Sequence, residues 1–452
     1  MTLISEDARP RSHSAETATL IAVPEPEKRE HNIRTDKQCR TEQVHLVAVC
    51  VLHFLSGWTD GSLGPLIPSI QSFYGLSYTV VSLLFVFRSV GYLVGTSANI
   101  LLTRKYGLGK MMLLGCSCHI IGNSLQSLAL KAPFEVFVLG NFFTAIGLSI
   151  NNSQMTGYLT VFTVSPQTKM GIYQSFFGLG CLVSPLVATQ FAKLPRRGHW
   201  GFLYLVTLGL AIANAAMIAL VFRGMKQEEC LKRAGQMVNG QESEEKPHPD
   251  VPSSAVEMDT LARRKGFFHE LISSKSLHLL ALFLFVYVGT EVTISGWIVS
   301  FVMQVRGGGG ASGYVASAFW GGYTIGRVAL LPLDKRLGES LAIYVYTAAC
   351  IGLQLIIWFV PSFVASAISV SFIGLLFGPM FVLGITQTAK ILPPHLVNAS
   401  IAWIDGFASV GAAIFPLRDW GDRGEGWVQE SATVDDWDVG AYDGELVVCA
   451  AT

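Results

Sequence analysis

Apolar runs of about twenty to thirty residues, separated by short polar stretches, fill the chain from Val44 to Pro416. About twenty predominantly apolar residues suffice to cross a bilayer as a helix, so each run reads as a membrane span. Six come first, at 44–70, 79–101, 111–130, 134–158, 170–192 and 200–222. Five more follow at 277–303, 312–332, 341–360, 363–390 and 396–416. Between the two sets lies a polar segment, 223–276, with no long apolar run, which reads as a linker between two halves. Its end, Leu261 to Phe268, carries Arg263, Arg264 and Lys265 and reads as a short basic amphipathic helix on the membrane surface. The first 43 residues are polar, contain no cleavable signal sequence and are expected to be disordered.

The two halves repeat one another. An offset of 231 positions carries Phe54, Thr59 and Asp60 onto Phe285, Thr290 and Glu291, and Gly91, Tyr92 and Gly95 onto Gly322, Tyr323 and Gly326. The same register, without a gap, carries Phe176, Gly180 and Pro185 onto Phe407, Gly411 and Pro416. A duplication with parallel halves is a signature of membrane transporters. By this offset a twelfth span belongs near 431–452. Instead that stretch holds Asp435, Asp436, Asp438, Asp443 and Glu445, which a bilayer-spanning helix does not tolerate. The expectation is therefore eleven spans, a polar and disordered tail over 417–452, and either a frameshifted or mis-spliced gene model or a natural eleven-helix variant.

Composition agrees with lipid as the solvent. Of 452 residues 51% are hydrophobic and only 14% charged, with a mean hydropathy of +0.45. Soluble domains carry about 25% charged residues. The net charge of zero conceals a partition. Most of the 32 Lys and Arg lie in the leader, the linker and alternate short loops, while Lys131, Lys193, Arg196, Arg197 and Arg306 fall on the other face. The positive-inside rule then places leader and linker in the cytosol, with Lys193, Arg196 and Arg197 as a local departure from it. The eight cysteines show neither zinc-site nor disulfide spacing. There is no nucleophile–base set, metal cluster or phosphate loop; the Gly307–Gly310 run lacks the Lys-Ser/Thr that a phosphate loop needs. An enzyme, a metal and an organic cofactor are not expected.

Candidate chemistry lies in the few intramembrane charges. Asp60 sits in Gly57-Trp58-Thr59-Asp60-Gly61, near the middle of the first run. A carboxylate at that depth faces water or a partner and marks a functional site by default; a packing hinge with a buried, paired Asp is the alternative. Runs one and two are antiparallel about a turn near Tyr74, and Asp60 and Arg88 are equally far from it in sequence, hence at one depth. They are expected to pair. The repeat partner of Arg88 is Phe319, so Glu291 is expected to lack such a cation, to gain and lose a proton, and to serve as the coupling residue. Asn151, Asn152, Gln154, Gln174, Gln387 and Asp405 either line a cavity or hold helices together. Trp58, Trp297 and Tyr323 offer apolar faces to a solute, and Trp58 and Trp297 lie too deep for an interfacial belt.

Two loops are repeat partners, Leu102-Thr103-Arg104-Lys105-Tyr106-Gly107 and Gly326-Arg327 followed by Leu333-Asp334-Lys335-Arg336-Leu337-Gly338. The second resembles the loop between helices two and three of the major facilitator superfamily. That resemblance implies a cytosolic latch built from Arg327, Asp334, Lys335 and Arg336, with Arg104 and Lys105 in the first copy, where Thr103 replaces the acid. Gly64-Pro65-Leu66-Ile67-Pro68 with Tyr74-Gly75-Leu76-Ser77 resembles the fucose-permease-like branch and its fungal members over about 44–416. The resemblance implies an all-α fold of two six-helix bundles, alternating access and a small-solute cargo. In bacterial fucose permeases the acid stands at the position of Gly64, a full turn beyond Asp60, so sugar specificity does not carry across. The expected function is secondary, proton-coupled transport of a small, sugar-like solute, by a monomer in the plasma membrane or an endomembrane, without nucleic acid. A uniporter is one alternative; a non-transporting membrane protein, motivated by the missing helix, is the other.

Overall fold

The computed structural model describes residues 35–128, 131–195, 198–236, 273–391 and 397–421. It is all helical among the described residues. The first half comprises α1 (Asp36–Tyr74), α2 (Tyr78–Tyr106), α3 (Leu108–Ser127), α4 (Phe134–Thr160), α5 (Pro166–Ala192) and α6 (Phe202–Phe222). A short helix α7 (Gln227–Arg233) opens the linker. The second half comprises α8 (Lys275–Val305), α9 (Gly313–Ala329), the short α10 (Leu331–Leu337), α11 (Glu339–Phe359), α12 (Phe363–Ile391) and α13 (Val397–Gly421). Eight of these are long and apolar enough to cross a membrane. Outside that set, α9 has 17 residues, α13 has a shorter apolar core at Trp403–Leu417, and α3 buries His119, Asn123 and Gln126. All three nevertheless pack among the long helices, α3 on α4, α9 on α12 and α13 on α8.

The boundaries follow from local chemistry. The first helix begins well before its apolar run because Thr35 and Gln38 form a capping box, each side chain satisfying the other's backbone N–H. It ends at Gly75, whose left-handed φ of 65° suits glycine. The run expected at 312–332 breaks at Leu330, and the loop residues beyond it wind into α10, with Pro332 in its first turn. The last helix continues to Gly421, past the expected end near Leu417. The 1–34 leader, Leu261–Phe268 and the acidic stretch from Asp435 to Glu445 lie outside the described residues.

The linker's first residues cap the first half. Met225, Cys230, Leu231 and Ala234 are buried, and the Met225 carbonyl accepts from Gly109 N at 2.9 Å. The Gln236 amide donates to Glu42 at 2.9 Å and its oxygen accepts from Thr163, while Glu42 pairs with Lys169. The ends of α1, α4 and α5 are thus tied together.

Along the centre of the first half α1 and α5 touch backbone to backbone. A Cβ on Gly57 would meet the Phe177 carbonyl oxygen, one on Gly61 would lie 2.6 Å from the Cys181 carbonyl oxygen, and one on Gly180 would meet α1 in return. The Ser184 hydroxyl donates to the Trp58 carbonyl at 2.5 Å across the same seam. Small residues permit this approach, which drives helix association in lipid. Neither backbone can yield, so Gly57→Val is expected to remove most folded protein, above the 1–3 kcal/mol of ordinary overpacking. Gly157→Val, with nothing within 4 Å, is the control expected to leave the yield unchanged. Size-exclusion profiles of detergent-solubilised protein read both.

Candidate functional site

The site is assembled at the centre of the two halves by α1, α2, α5, α8 and α9. Asp60 on α1 and Arg88 on α2 form an ion pair, with about a quarter of each side chain exposed. Helix α2 brings Arg88 across because α1 turns back at Gly75 and both residues lie at one depth. On the other side Glu291 of α8 is faced by the hydroxyls of Tyr287 and Tyr323. Tyr287 also donates to the Phe377 carbonyl at 3.0 Å, which fixes its ring. Arg327 on α9 lies within electrostatic reach of Glu291, donates to the Tyr323 hydroxyl at 3.0 Å and stacks 4.6 Å over its ring. Cys181 of α5 is buried between the two groups, within reach of Arg88, Arg327 and Glu291.

The repeat register alone does not describe the surroundings of Glu291. Glu291 has no ion pair of the Asp60–Arg88 kind among the described residues, but Arg327, two turns along α9 from Phe319, lies within electrostatic reach of it. Arg327 crosses to the first half, donating to Gln174 at 3.3 Å and lying 5.9 Å over the Phe177 ring. Of the other latch candidates, Asp334 accepts from the Tyr346 hydroxyl at 2.5 Å, Lys335 and Arg336 are exposed, and Lys105 lies over Tyr106. Burial lifts the Asp334 carboxyl above the usual carboxylate range, and the Tyr346 bond opposes that. The side chain of Arg104 falls outside the described residues.

The cavity candidates divide. Asn152 bridges α2 and α5 of the first half, donating to the Tyr92 hydroxyl at 3.4 Å and accepting from the Tyr173 hydroxyl at 3.0 Å, and Asp405 on α13 lies within reach of Tyr92. Gln387 is half-buried on α12. Three others are turned into helix packing. Trp58 donates its indole N–H to Thr207 of α6 at 3.0 Å. Asn151 is buried against Gly115 and Cys116 of α3. Gln154 donates to Asn99 and Thr103 of α2. Trp58 and Gln154 satisfy their indole and amide N–H groups inside one half, as intramembrane polar side chains do when they hold helices together, whereas the Asn151 amide oxygen is buried without a partner among the described residues.

Trp297 has a different place. It is buried near the Tyr74 end of α1, 5.7 Å from the Tyr78 ring and 5.8 Å from Phe85, so it plugs the contact between halves. At the same end the Tyr314 hydroxyl accepts from Gln190, and Lys193 lies 4.6 Å over the Tyr314 ring. This gives Lys193, the departure from the charge rule, a structural reason: it holds α5 against α9.

Chain pattern, duplication and geometry meet in the comparisons. The family model described as Major Facilitator Superfamily matches residues 49–416. The chain belongs to the major facilitator superfamily. Among curated members it is 24% identical to Bypass of stop codon protein 6 of Saccharomyces cerevisiae over 387 residues, 83% of this chain and 76% of that protein. It is 23% identical to the Glucose/mannose transporter GlcP of Bacillus subtilis, covering 81% of this chain and 85% of the relative. Among solved structures it resembles a D-xylose-proton symporter, with a TM-score of 0.62 and 11% identity over 83% of this chain and 90% of the other. A bacterial homolog of the human lysosomal transporter Spinster, inward-facing and unoccupied, gives a TM-score of 0.64 at 13% identity, covering 92% of each chain. At such identities the structures establish the facilitator fold alone. The protein is an integral, multi-pass membrane transporter of this superfamily.

Tyr287 escaped the sequence analysis, while Tyr323 and Arg327 entered it without their link to Glu291. Tyr287 precedes Glu291 by four positions and Tyr323 precedes Arg327 by four, so each pair shares a helix face. That spacing was the available signal. Nothing in the local sequence marks Cys181 or the seam between Gln174 and Arg327.

Proposed function

We propose that this protein is a proton-coupled secondary transporter of a small, hydroxylated, sugar-like solute, with Glu291 as the coupling residue. The observation that carries the reading is one carboxylate, Glu291, near Tyr287 and Tyr323 and within electrostatic reach of Arg327, with Cys181 in reach of both Glu291 and the Arg88 that pairs with Asp60. Asp60 is already neutralised by a permanent cation. Glu291 shares Arg327 with Tyr323 and Gln174, so its charge can be given up to a proton without leaving a bare guanidinium. The names of relatives, a glucose/mannose transporter and a glucose/galactose transporter, support the solute class.

In this reading residues 44–222 and 277–416 are the two rocking bundles, with leader and linker in the cytosol. The outer end is held shut by Trp297 between Tyr78 and Phe85 and by Tyr314 with Gln190 and Lys193. Opening it exchanges those contacts for others at the cytosolic end. The plasma membrane or an endomembrane is the site of action.

Purified protein in liposomes is expected to take up radiolabelled D-glucose, D-mannose, D-galactose or D-xylose, faster when an inward proton gradient is imposed. Uptake indifferent to the gradient selects a uniporter. No flux of any of the four sugars removes the solute assignment.

A further inference from the structure

His53 has no part in the proposal above, yet it is a polar ring sealed inside the membrane region with 3% of its surface exposed. It lies two turns before Asp60 on α1, about 10 Å toward the cytosolic end. Its ring is stacked flat on Tyr173 of α5, with centroids 3.7 Å apart and 4° between planes, and is tilted 5.1 Å from Phe177. Stacking fixes the ring plane, so the two nitrogens have fixed directions. Neither has a hydrogen-bond partner of good geometry among the described residues. His45 on the same helix shows the ordinary outcome, its Nδ1 bonded to the Tyr158 hydroxyl at 2.7 Å. A buried orphan of this kind calls for a ligand or a role.

The neighbouring polar group is Gln174, one position along α5 from Tyr173 and close enough to turn to the imidazole. In this structure its amide oxygen is taken by Arg327 of the second half, at 3.3 Å. Arg327 is also the charged group within reach of His53. When the halves part at the cytosolic end, Arg327 withdraws with α9, and Gln174 and His53 remain on the first half, facing the space it leaves.

We propose that His53 and Gln174 form a hydroxyl-binding subsite that receives the solute on the cytosolic side of Glu291. A neutral imidazole offers one donor and one acceptor, and the amide offers both, which suits adjacent hydroxyls of a sugar-like solute. Phe177 supplies an apolar wall for its C–H face. The inference rests on the transport reading given above and adds a position to it.

The test uses His53→Phe, which keeps the stacking and removes both nitrogens, and His53→Gln, which returns hydrogen-bonding capacity. Reconstituted protein is assayed with whichever of the four sugars the parent carries, after size exclusion confirms folding. His53→Phe is expected to raise KM about tenfold, as for loss of hydrogen bonds to a buried group, while proton stimulation persists. His53→Gln is expected to stay within about threefold of the parent. An unchanged KM in His53→Phe, or equal damage from both variants, overturns the subsite. A second measurement does not depend on the sugar. In His53→Cys, the new thiol is expected to react with a charged methanethiosulfonate from the cytosolic side at least about tenfold faster than buried Cys50. If the parent moves no sugar but this labelling is seen, the solute class fails and the lining position stands. If residue 53 reacts no faster than Cys50, the lining position itself is wrong.

Discussion

Glu291→Gln is expected to abolish accumulation of solute driven by a proton gradient while leaving exchange of labelled for unlabelled solute intact. The amide keeps the shape of a protonated carboxyl beside Tyr287 and Tyr323, but it cannot release a proton. One proton moving down a gradient of one pH unit supplies about 1.4 kcal/mol, enough for about tenfold accumulation. The parent should therefore approach that ratio in liposomes under such a gradient, and Glu291→Gln should settle near unity. The alternative is a Glu291 that only bridges α8 and α9 through its neighbours. Glu291→Gln would then behave like the parent, or lose exchange and accumulation together by misfolding. Accumulation against the gradient by Glu291→Gln would remove Glu291 as the coupling site.

The second large effect concerns Asp60 and Arg88. Removing one member of a buried ion pair leaves an uncompensated charge and costs about 3–5 kcal/mol. Here about a quarter of each side chain is exposed, which places the expected cost near the lower end of that range. Arg88→Leu alone should cut the folded, membrane-inserted yield severely. Combining it with Asp60→Asn should recover much of the loss, because the orphaned carboxylate is gone. Thermal unfolding of the purified variants measures the coupling as a double-mutant cycle. Additive effects of the two changes would show that the pair, though in contact, contributes nothing as a pair. Recovery of stability without recovery of transport would place the pair in the transport cycle as well as in the fold.

Residues nearest the chemistry were legible to unequal degrees. The proximity of Asp60 and Arg88 could be read because a tight turn joins antiparallel helices and equal rise fixes equal depth. The cation beside Glu291 could not be read from the repeat, since the repeat register points to Phe319 and the guanidinium arrives from Arg327 on a long side chain. A loop motif pointed to Arg327, but not to its contacts with Tyr323, Gln174 and Phe177.

The sequence by itself determined the membrane class, the apolar runs, the duplication and the distribution of charge. A bilayer imposes these rules residue by residue, through span length, the cost of charge and the side on which cations remain. Only the tertiary structure decided which polar groups meet. Helices buried on all sides in lipid and protein are apolar nearly all round, so their periodicity does not tell which face looks inward. Trp58 and Asn151 turned into packing inside one half, Trp297 became a plug between halves, and His53 emerged as a polar ring without a good partner. Each of these depends on how two helices far apart in sequence are rotated against one another. That rotation is set by backbone contacts such as Gly57 against Phe177, which no local pattern records.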